Sequence, residues 1–321
     1  MGRLSGLFGQ QGAAADPPHE AHALAKRMPA LMIEAKRVAQ TVAYGVHGRR
    51  QAGQGETFWQ FRHYGQNDAA PLIDWRRSAS SDHLYVRERE WEAAHTVWLW
   101  LDRSPSMRFR SRLSPASKAD RAMVLTLAVA ELLIQGGERV AAAGLLAPTA
   151  QRGAMERLAA GYAKSEDKGA DASLPPAVTL NRFSGAVFVS DFLEPPGDIR
   201  AAVEAYARQG VRGHMVQVLD PAEETLPYDG RTEFHGPEGG ERWIADRAET
   251  LRPLYRARLE AHRAALGEIA KRIGWSLLVH HTDRPATEPL LTLIMRLHGE
   301  AGGYRWQGHG GNEQAAGSAS A

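Results

Sequence analysis

The chain has 321 residues, 43% of them hydrophobic, with 39 basic and 37 acidic side chains and a net charge of +2. That length and composition suit one large globular domain or two ordinary ones, and the near balance of charge excludes a polycation built for nucleic acid or an anionic membrane. No cysteine is present, which removes disulfides, thiolate metal sites, iron–sulfur clusters and cysteine nucleophiles together.

Residues 1–17, rich in Gly, Ala and Gln, read as disordered and lack the apolar core of a signal peptide. No run approaches the roughly 18–20 apolar residues of a membrane-spanning helix. The expectation is a cytoplasmic protein without direct membrane insertion. Residues 18–94 read as an N-terminal helix plus a β-rich segment. From Glu20 to Ala43, Leu24, Met28, Leu31, Met32, Ala35 and Val38 recur at helical spacing, and Gly45 and Gly48 end the pattern. "ETFWQFRHYG" and "HLYVREREWE" read as strands, joined through a loop that holds Asp68 and Asp74. Trp59, Phe61, Trp75 and Tyr85 are expected to be buried, and Asp74 to pair with Arg62 or Arg87.

Residues 95–300 alternate short apolar runs with helical stretches. "TVWLWLD", "RVAAAGLLA", "GAVFVSD", "HMVQVLD" and "WSLLVHHT" read as strands. "SKADRAMVLTLAVAELLIQ", "AMERLAAGYA", "DIRAAVEAYARQ", "AETLRPLYRARLEAHRAALGEIAKRI" and "ATEPLLTLIMRLHG" read as helices. Continuous apolar strands separated by helices predict an α/β domain with a doubly wound, mainly parallel sheet. The low-complexity tail, 301–321, is expected to be flexible.

Three of the strands finish on an aspartate: Asp102, Asp191 and Asp220. Parallel strands bring these ends to one edge, where ligands of such sheets bind. Ser104 and Ser106 follow Asp102 at alternate positions. Hydroxyl and carboxylate oxygens suit a hard cation, Mg²⁺, Mn²⁺ or Ca²⁺, rather than a softer metal, and the expected ion is Mg²⁺ or Mn²⁺. The same residues also cap helices and close turns, and Asp220, followed by Pro221, is equally a turn former.

"LDRSPSM" resembles the D-x-S-x-S motif of von Willebrand factor A domains, where it opens a metal-ion-dependent adhesion site. The flanking chain narrows the likeness. Phe58, Arg62, Tyr64, Asp68, Ile73-Asp74-Trp75 and Val86-Arg87-Glu88, with "VLDPAEETLPYDG" later, resemble bacterial domain-of-unknown-function family fifty-eight. Members of that family resemble von Willebrand A domains and are typically encoded beside MoxR-type AAA+ ATPases. The resemblance implies a von Willebrand A-like fold and metal ligands Asp102, Ser104, Ser106 and Asp191, with a partner's carboxylate completing the coordination. It also departs in places. Asn67 stands where Gly is usual, and Ala69, Pro71 and Ser80 replace an acid and two arginines. The Thr expected between the serines and the second Asp has no clear counterpart, with Ser165, Ala170, Ser173 and Thr179 in that region.

No H-x-x-x-H, H-E-x-x-H, G-x-S-x-G or Walker A sequence occurs. His280 and His281 are expected to face opposite sides of a strand. Arg108, Arg110 and Arg112 lie just beyond the serines, as a solvated loop or as a cationic rim for an acidic partner. The expectation is therefore a non-enzymatic adaptor whose partners are a MoxR-type ATPase and a client protein, with no nucleic acid. The alternatives are a metal-dependent hydrolase and a structural protein with a vestigial metal site.

Overall fold

The computed structural model describes residues 17–47, 58–65, 73–79, 81, 83–89, 95–165, 173–236 and 242–304. Residues 1–16 and 305–321, where disorder is expected, lie outside these, as do Asn67, Asp68, Ala69, Pro71 and Ser80. Two compact units are present: residues 46–94, and residues 1–45 with 95–321.

Helix α1 (Pro17–His47) belongs almost wholly to the larger unit. Leu24, Met28, Leu31, Ala35, Val38 and Val42 are all buried. Their spacing of three and four residues stacks them on one face, as the sequence predicts.

In the smaller unit, β1 (Phe58–His63) pairs antiparallel with β2 (Tyr85–Arg89), in register from Gln60 opposite Glu88 to His63 opposite Tyr85. Between them, α2 (Trp75–Ser78) is capped by Asp74, whose carboxylate accepts from the Arg77 amide at 2.9 Å. Asp74 is thus a helix cap. The side chains of Arg62 and Arg87, its expected ion-pair partners, lie outside the described residues, as do those of Trp59 and Phe61. Trp75 is 63% exposed, contrary to the expected burial. Its place in the first turn of a helix of only four residues leaves little surface to cover it. Tyr85 is half-buried.

The larger unit is a mixed α/β structure around a mostly parallel six-stranded sheet. Its strands are β3 (Thr96–Leu101), β4 (Arg139–Ala142), β5 (Leu146–Thr149), β6 (Gly185–Ser190), β7 (Arg212–Leu219) and β10 (Ser276–His281). Their spatial order is β10-β7-β6-β3-β4-β5. Only β5 runs antiparallel, against β4. The single strand expected from "RVAAAGLLA" is therefore two. Gly144, at φ +72°, makes the left-handed turn that folds β5 back on β4.

The connecting helices are α3 (Lys118–Gln135), α4 (Ala154–Ser165), α5 (Pro196–Ala207), the short α6 (Pro221–Thr225), α7 (Arg252–Arg272) and α8 (Thr287–Tyr304). Between α6 and α7 lies a hairpin that periodicity did not reveal, β8 (Thr232–His235) with β9 (Arg242–Ala245). Phe234 and Ala245 of this hairpin pack with Leu193, Leu219, Tyr255 and Leu259 in a small core. Among the described residues, no helix is long and apolar enough to cross a membrane.

One sheet face is closed by α5 and α7, where Ile199, Val203, Tyr206, Leu266 and Ile269 cover Ala186, Phe188 and Met215. Phe188 meets Trp100, Tyr206 and Trp275 edge-on, at ring separations of 5.7, 5.1 and 5.4 Å. Each such contact adds about 0.5–1.5 kcal/mol beyond area burial, so β6 is held firmly two residues before its end. The helix α3 is buried along most of its length and packs on β3, β4, β6 and β7.

Close approach in this core predicts a specific sensitivity. The Trp275 indole lies over Gly213, where an added Cβ would stand 2.5 Å from the ring, and its N–H donates to the Val211 carbonyl at 3.0 Å. Gly213→Ala should cost about 1–3 kcal/mol in urea denaturation, as overpacking does. An unchanged midpoint would show that the ring is not held there.

Candidate functional site

The strand order places β3 between β4 and β6. The chain runs from β3 through α3 to β4 on one side, and only later reaches β6 on the other. Connections that leave neighbouring strands in opposite directions open a crevice at their carboxyl ends. Asp102 follows β3 and Asp191 follows β6, so both stand at this crevice. Leu101 lies opposite Val189, and the Asp102 amide donates to the Val189 carbonyl at 2.9 Å.

The four residues singled out in the sequence meet. The Asp102 carboxylate accepts from the Ser104 amide at 2.8 Å and from the Ser190 hydroxyl at 2.6 Å. A 3-10 turn, Pro105–Arg108, brings Ser106 back over the strand ends. Ser106 Oγ lies 3.0 Å from Ser104 Oγ and donates to Asp191 Oδ2 at 2.7 Å. Asp102, Ser104 and Asp191 are buried, and Ser106 is half-buried, so the cluster meets solvent at Ser106.

The turn after Asp191 is strained. Phe192 has φ +47°, a left-handed conformation that costs a non-glycine residue about 1–2 kcal/mol. Three hydrogen bonds offset this. The Phe192 amide donates to Ser190 Oγ at 2.9 Å, its carbonyl lies 2.6 Å from His262 Nε2, and Gln217 Nε2 donates to the Asp191 carbonyl at 2.9 Å. Ser190 thereby ties the two strand ends together, donating to Asp102 while accepting from Phe192.

Two further residues were not anticipated. Lys118, the first residue of α3, is fully buried. Its ammonium donates to Asp191 Oδ2 at 2.8 Å and to Glu223 Oε1 at 2.5 Å. Glu223 is fixed by a capping box on α6, in which its other oxygen accepts from the Asp220 amide at 2.8 Å. Asp220 accordingly acts as a helix cap. It also accepts from the Ser111 amide at 2.8 Å, which anchors the loop after β3. The sequence carried faint signals for both residues. One is a lysine opening an otherwise apolar helix; the other is the D-x-x-E spacing of a capping box.

Burial dominates the electrostatics. It raises Asp102 to about 7, with the charge of Asp191 adding to the effect and the Ser190 and Ser104 hydrogen bonds opposing it. Burial also raises Glu223 to about 7 despite Lys118 beside it. For Lys118 burial works downward, and the Asp191 and Glu223 carboxylates override it, holding the ammonium above its ordinary value. The amine is therefore held charged, and Asp102 and Glu223 are the two carboxyls whose protonated form burial favours.

Hydroxyl and carboxylate oxygens are the donor type that a small hard cation takes. Adjacent ligands of an octahedral ion with bonds of about 2.1 Å lie about 3.0 Å apart. The Ser104–Ser106 and Ser106–Asp191 separations, 3.0 and 2.7 Å, are close to that edge. The set is sparse. Among the described residues no group of three or more His, Asp or Glu is arranged to hold a metal. The residues that the sequence offers for the expected threonine do not join the cluster where they are described. Ser173 donates to Glu194 at 2.8 Å, Thr179 is exposed, and Ala170 and the Ser165 side chain lie outside the described residues. As expected, His280 is buried while His281 reaches Glu224 at 2.9 Å; burial lowers His280 to about 3, so it is neutral. Arg108, Arg110 and Arg112 are all exposed.

These shifts set a pH dependence. With raised folded values for Asp102 and Glu223, the folded state keeps protons that the unfolded state releases near its ordinary carboxyl values. That stabilisation is complete below the ordinary values and is lost as pH rises through about 7. In chelator, the melting temperature should fall from pH 6 to pH 8, and Asp102→Asn should flatten the fall. Thermal melts at both pH values measure this, and a wild-type melting temperature unchanged across that range would contradict the protonation.

The chain resembles several proteins. It is 27% identical over 278 residues to the uncharacterized proteins Rv1480 of Mycobacterium tuberculosis and Mb1516 of Mycobacterium bovis, covering 81% of this chain and 86% of each of them. Two solved structures share less. BatB, a conserved hypothetical protein of Bacteroides thetaiotaomicron, is 18% identical with a TM-score of 0.38. An aerotolerance-related membrane protein of Bacteroides fragilis is 17% identical with a TM-score of 0.40. Each likeness covers 64% of this chain and 100% of the other. The family model described as "Protein of unknown function DUF58" matches residues 60–265, and the chain belongs to that family.

Proposed function

We propose that this chain is a von Willebrand A-like recognition protein, without enzymatic activity, that presents a hard divalent cation to partner carboxylates. Mg²⁺ or Mn²⁺ is held by Ser104 and Ser106 directly, by Asp102 directly or through water, and by Asp191 through water. The partner class, carried by the family resemblance, is a MoxR-type AAA+ ATPase acting with a client protein in the cytoplasm.

The observation that carries this reading is the meeting of Ser104, Ser106 and Asp191 at separations of 3.0 and 2.7 Å, with Asp102 bonded to the Ser104 amide beside them, at the β3–β6 switch. Ser106 leaves one side of the cluster open to solvent, where an acidic side chain can approach. The exposed Arg108, Arg110 and Arg112 follow directly and favour the encounter electrostatically. A hydrolase would use the same ion, but its activating base would have to meet an external substrate. Asp102 is only 1% exposed and would be engaged with the ion, so it does not serve as that base.

Titration calorimetry tests the ion. Asp102→Ala and the Ser104→Ala/Ser106→Ala double variant should weaken Mn²⁺ binding by about tenfold or more while circular dichroism stays unchanged. Equal affinity in wild type and both variants would place the ion elsewhere.

Binding kinetics to a MoxR-type ATPase test the recognition role. Neutralising the three arginines should slow association and flatten its salt dependence, whereas Asp102→Ala should speed dissociation. Binding indifferent to chelator and to Asp102→Ala would place the interface elsewhere.

A further inference from the structure

Lys118 occupies an unfavourable place for a cation. It is 0% exposed, and it is the first residue of α3, just after the Ser117 cap. The N-terminal end of a helix carries partial positive charge, which disfavours a cation there. Burial adds the loss of hydration. What holds the ammonium is the pair of carboxylates, Asp191 Oδ2 at 2.8 Å and Glu223 Oε1 at 2.5 Å, with the Phe109 ring 5.9 Å away.

The oxygen it binds is the one that Ser106 also binds. Two buried carboxyl groups, Asp191 and Glu223, hold the one buried ammonium, and a third, Asp102, lies buried near Asp191. That is an excess of acid, which favours a further cation, but one whose shared ligand is already engaged.

We propose that Lys118 is the site's built-in counter-ion and sets its divalent-cation affinity by competing with the ion for Asp191. The inference rests on the divalent-ion reading above and adds its regulation. The ammonium keeps the strand ends assembled when no ion is bound. It also repels a second positive charge a few ångströms away. The native protein therefore holds an ion weakly and releases it readily, and the carboxylate of an arriving partner supplies the missing attraction. Lys118 is a positioning and affinity-setting residue, not a ligand.

The test compares the full chain with Lys118→Met and Lys118→Gln, using MnCl₂ as the probe in calorimetry and in thermal melts with and without chelator. Both variants should bind Mn²⁺ about tenfold or more tightly than wild type. Both should melt well below wild type in chelator and recover much of the loss in Mn²⁺, while the wild-type melt shifts little. A purely structural lysine would leave the variants equally unstable with and without the ion. If either variant is unfolded in chelator, refolding on addition of Mn²⁺ upholds the inference, and failure to refold overturns it. Tighter binding by the variants with none by wild type upholds Lys118 as counter-ion and overturns ion binding by the native site. Wild-type binding that the variants do not improve overturns the Lys118 inference alone. No binding by any of the three overturns both.

Discussion

The ammonium of Lys118 between Asp191 and Glu223 is the contact on which the strand-end cluster depends. Carboxylates brought together at the ends of parallel strands repel one another, and their burial removes the water that would screen them. Losing one member of such a buried pair typically costs about 3–5 kcal/mol, because the remaining charge is left uncompensated. A positive charge inside the fold allows the acids to stay buried, and with them the serines that bridge Asp102 to Asp191.

The rest of the fold holds that ammonium still. The first turn of α3 is tied to four elements within four residues. Lys118 reaches Asp191 after β6 and Glu223 of α6. Asp120 accepts from Arg27 of α1 at 2.7 Å. Arg121 donates to the Thr282 carbonyl after β10 at 3.1 Å and lies 3.6 Å from Glu34 of α1. The ion pairs of long helix α1 therefore fall beside the lysine. The partly exposed Arg27–Asp120 pair contributes little energy by itself, and its effect is to fix geometry. On the other face of the sheet, the aromatic contacts around Phe188 steady β6 just before Ser190 and Asp191.

The strain at Phe192 has the same logic. A left-handed residue beside Asp191 is tolerated because Ser190, His262 and Gln217 satisfy the backbone around it. That turn lets a single carboxylate receive Ser106, Lys118 and the Leu193 amide together. Recognition by such a cluster would be governed by charge balance more than by shape, and the proposed role of the exposed arginines follows the same principle at longer range.

Much of this was legible in the amino-acid sequence. The helical period of Leu24 to Val38 foretold the buried face of α1, and apolar runs between helices foretold a mostly parallel sheet. The aspartates closing three strands, with serines two and four residues beyond the first, foretold which residues would meet. These are local patterns, because a side chain's position along a helix or strand follows from spacing alone. Local spacing did not reveal the fold-back at Gly144, the β8–β9 hairpin or the exposure of Trp75. Nor did it reveal the counter-ion. Lys118 is 73 residues from Asp191 and 105 from Glu223. The sequence by itself determined the period of α1, the alternation of apolar strands with helices, and the oxygen-rich strand ends. Only the tertiary structure decided that a lysine would neutralise them, because the strand order and the capping of α6 set which distant charges share one buried space.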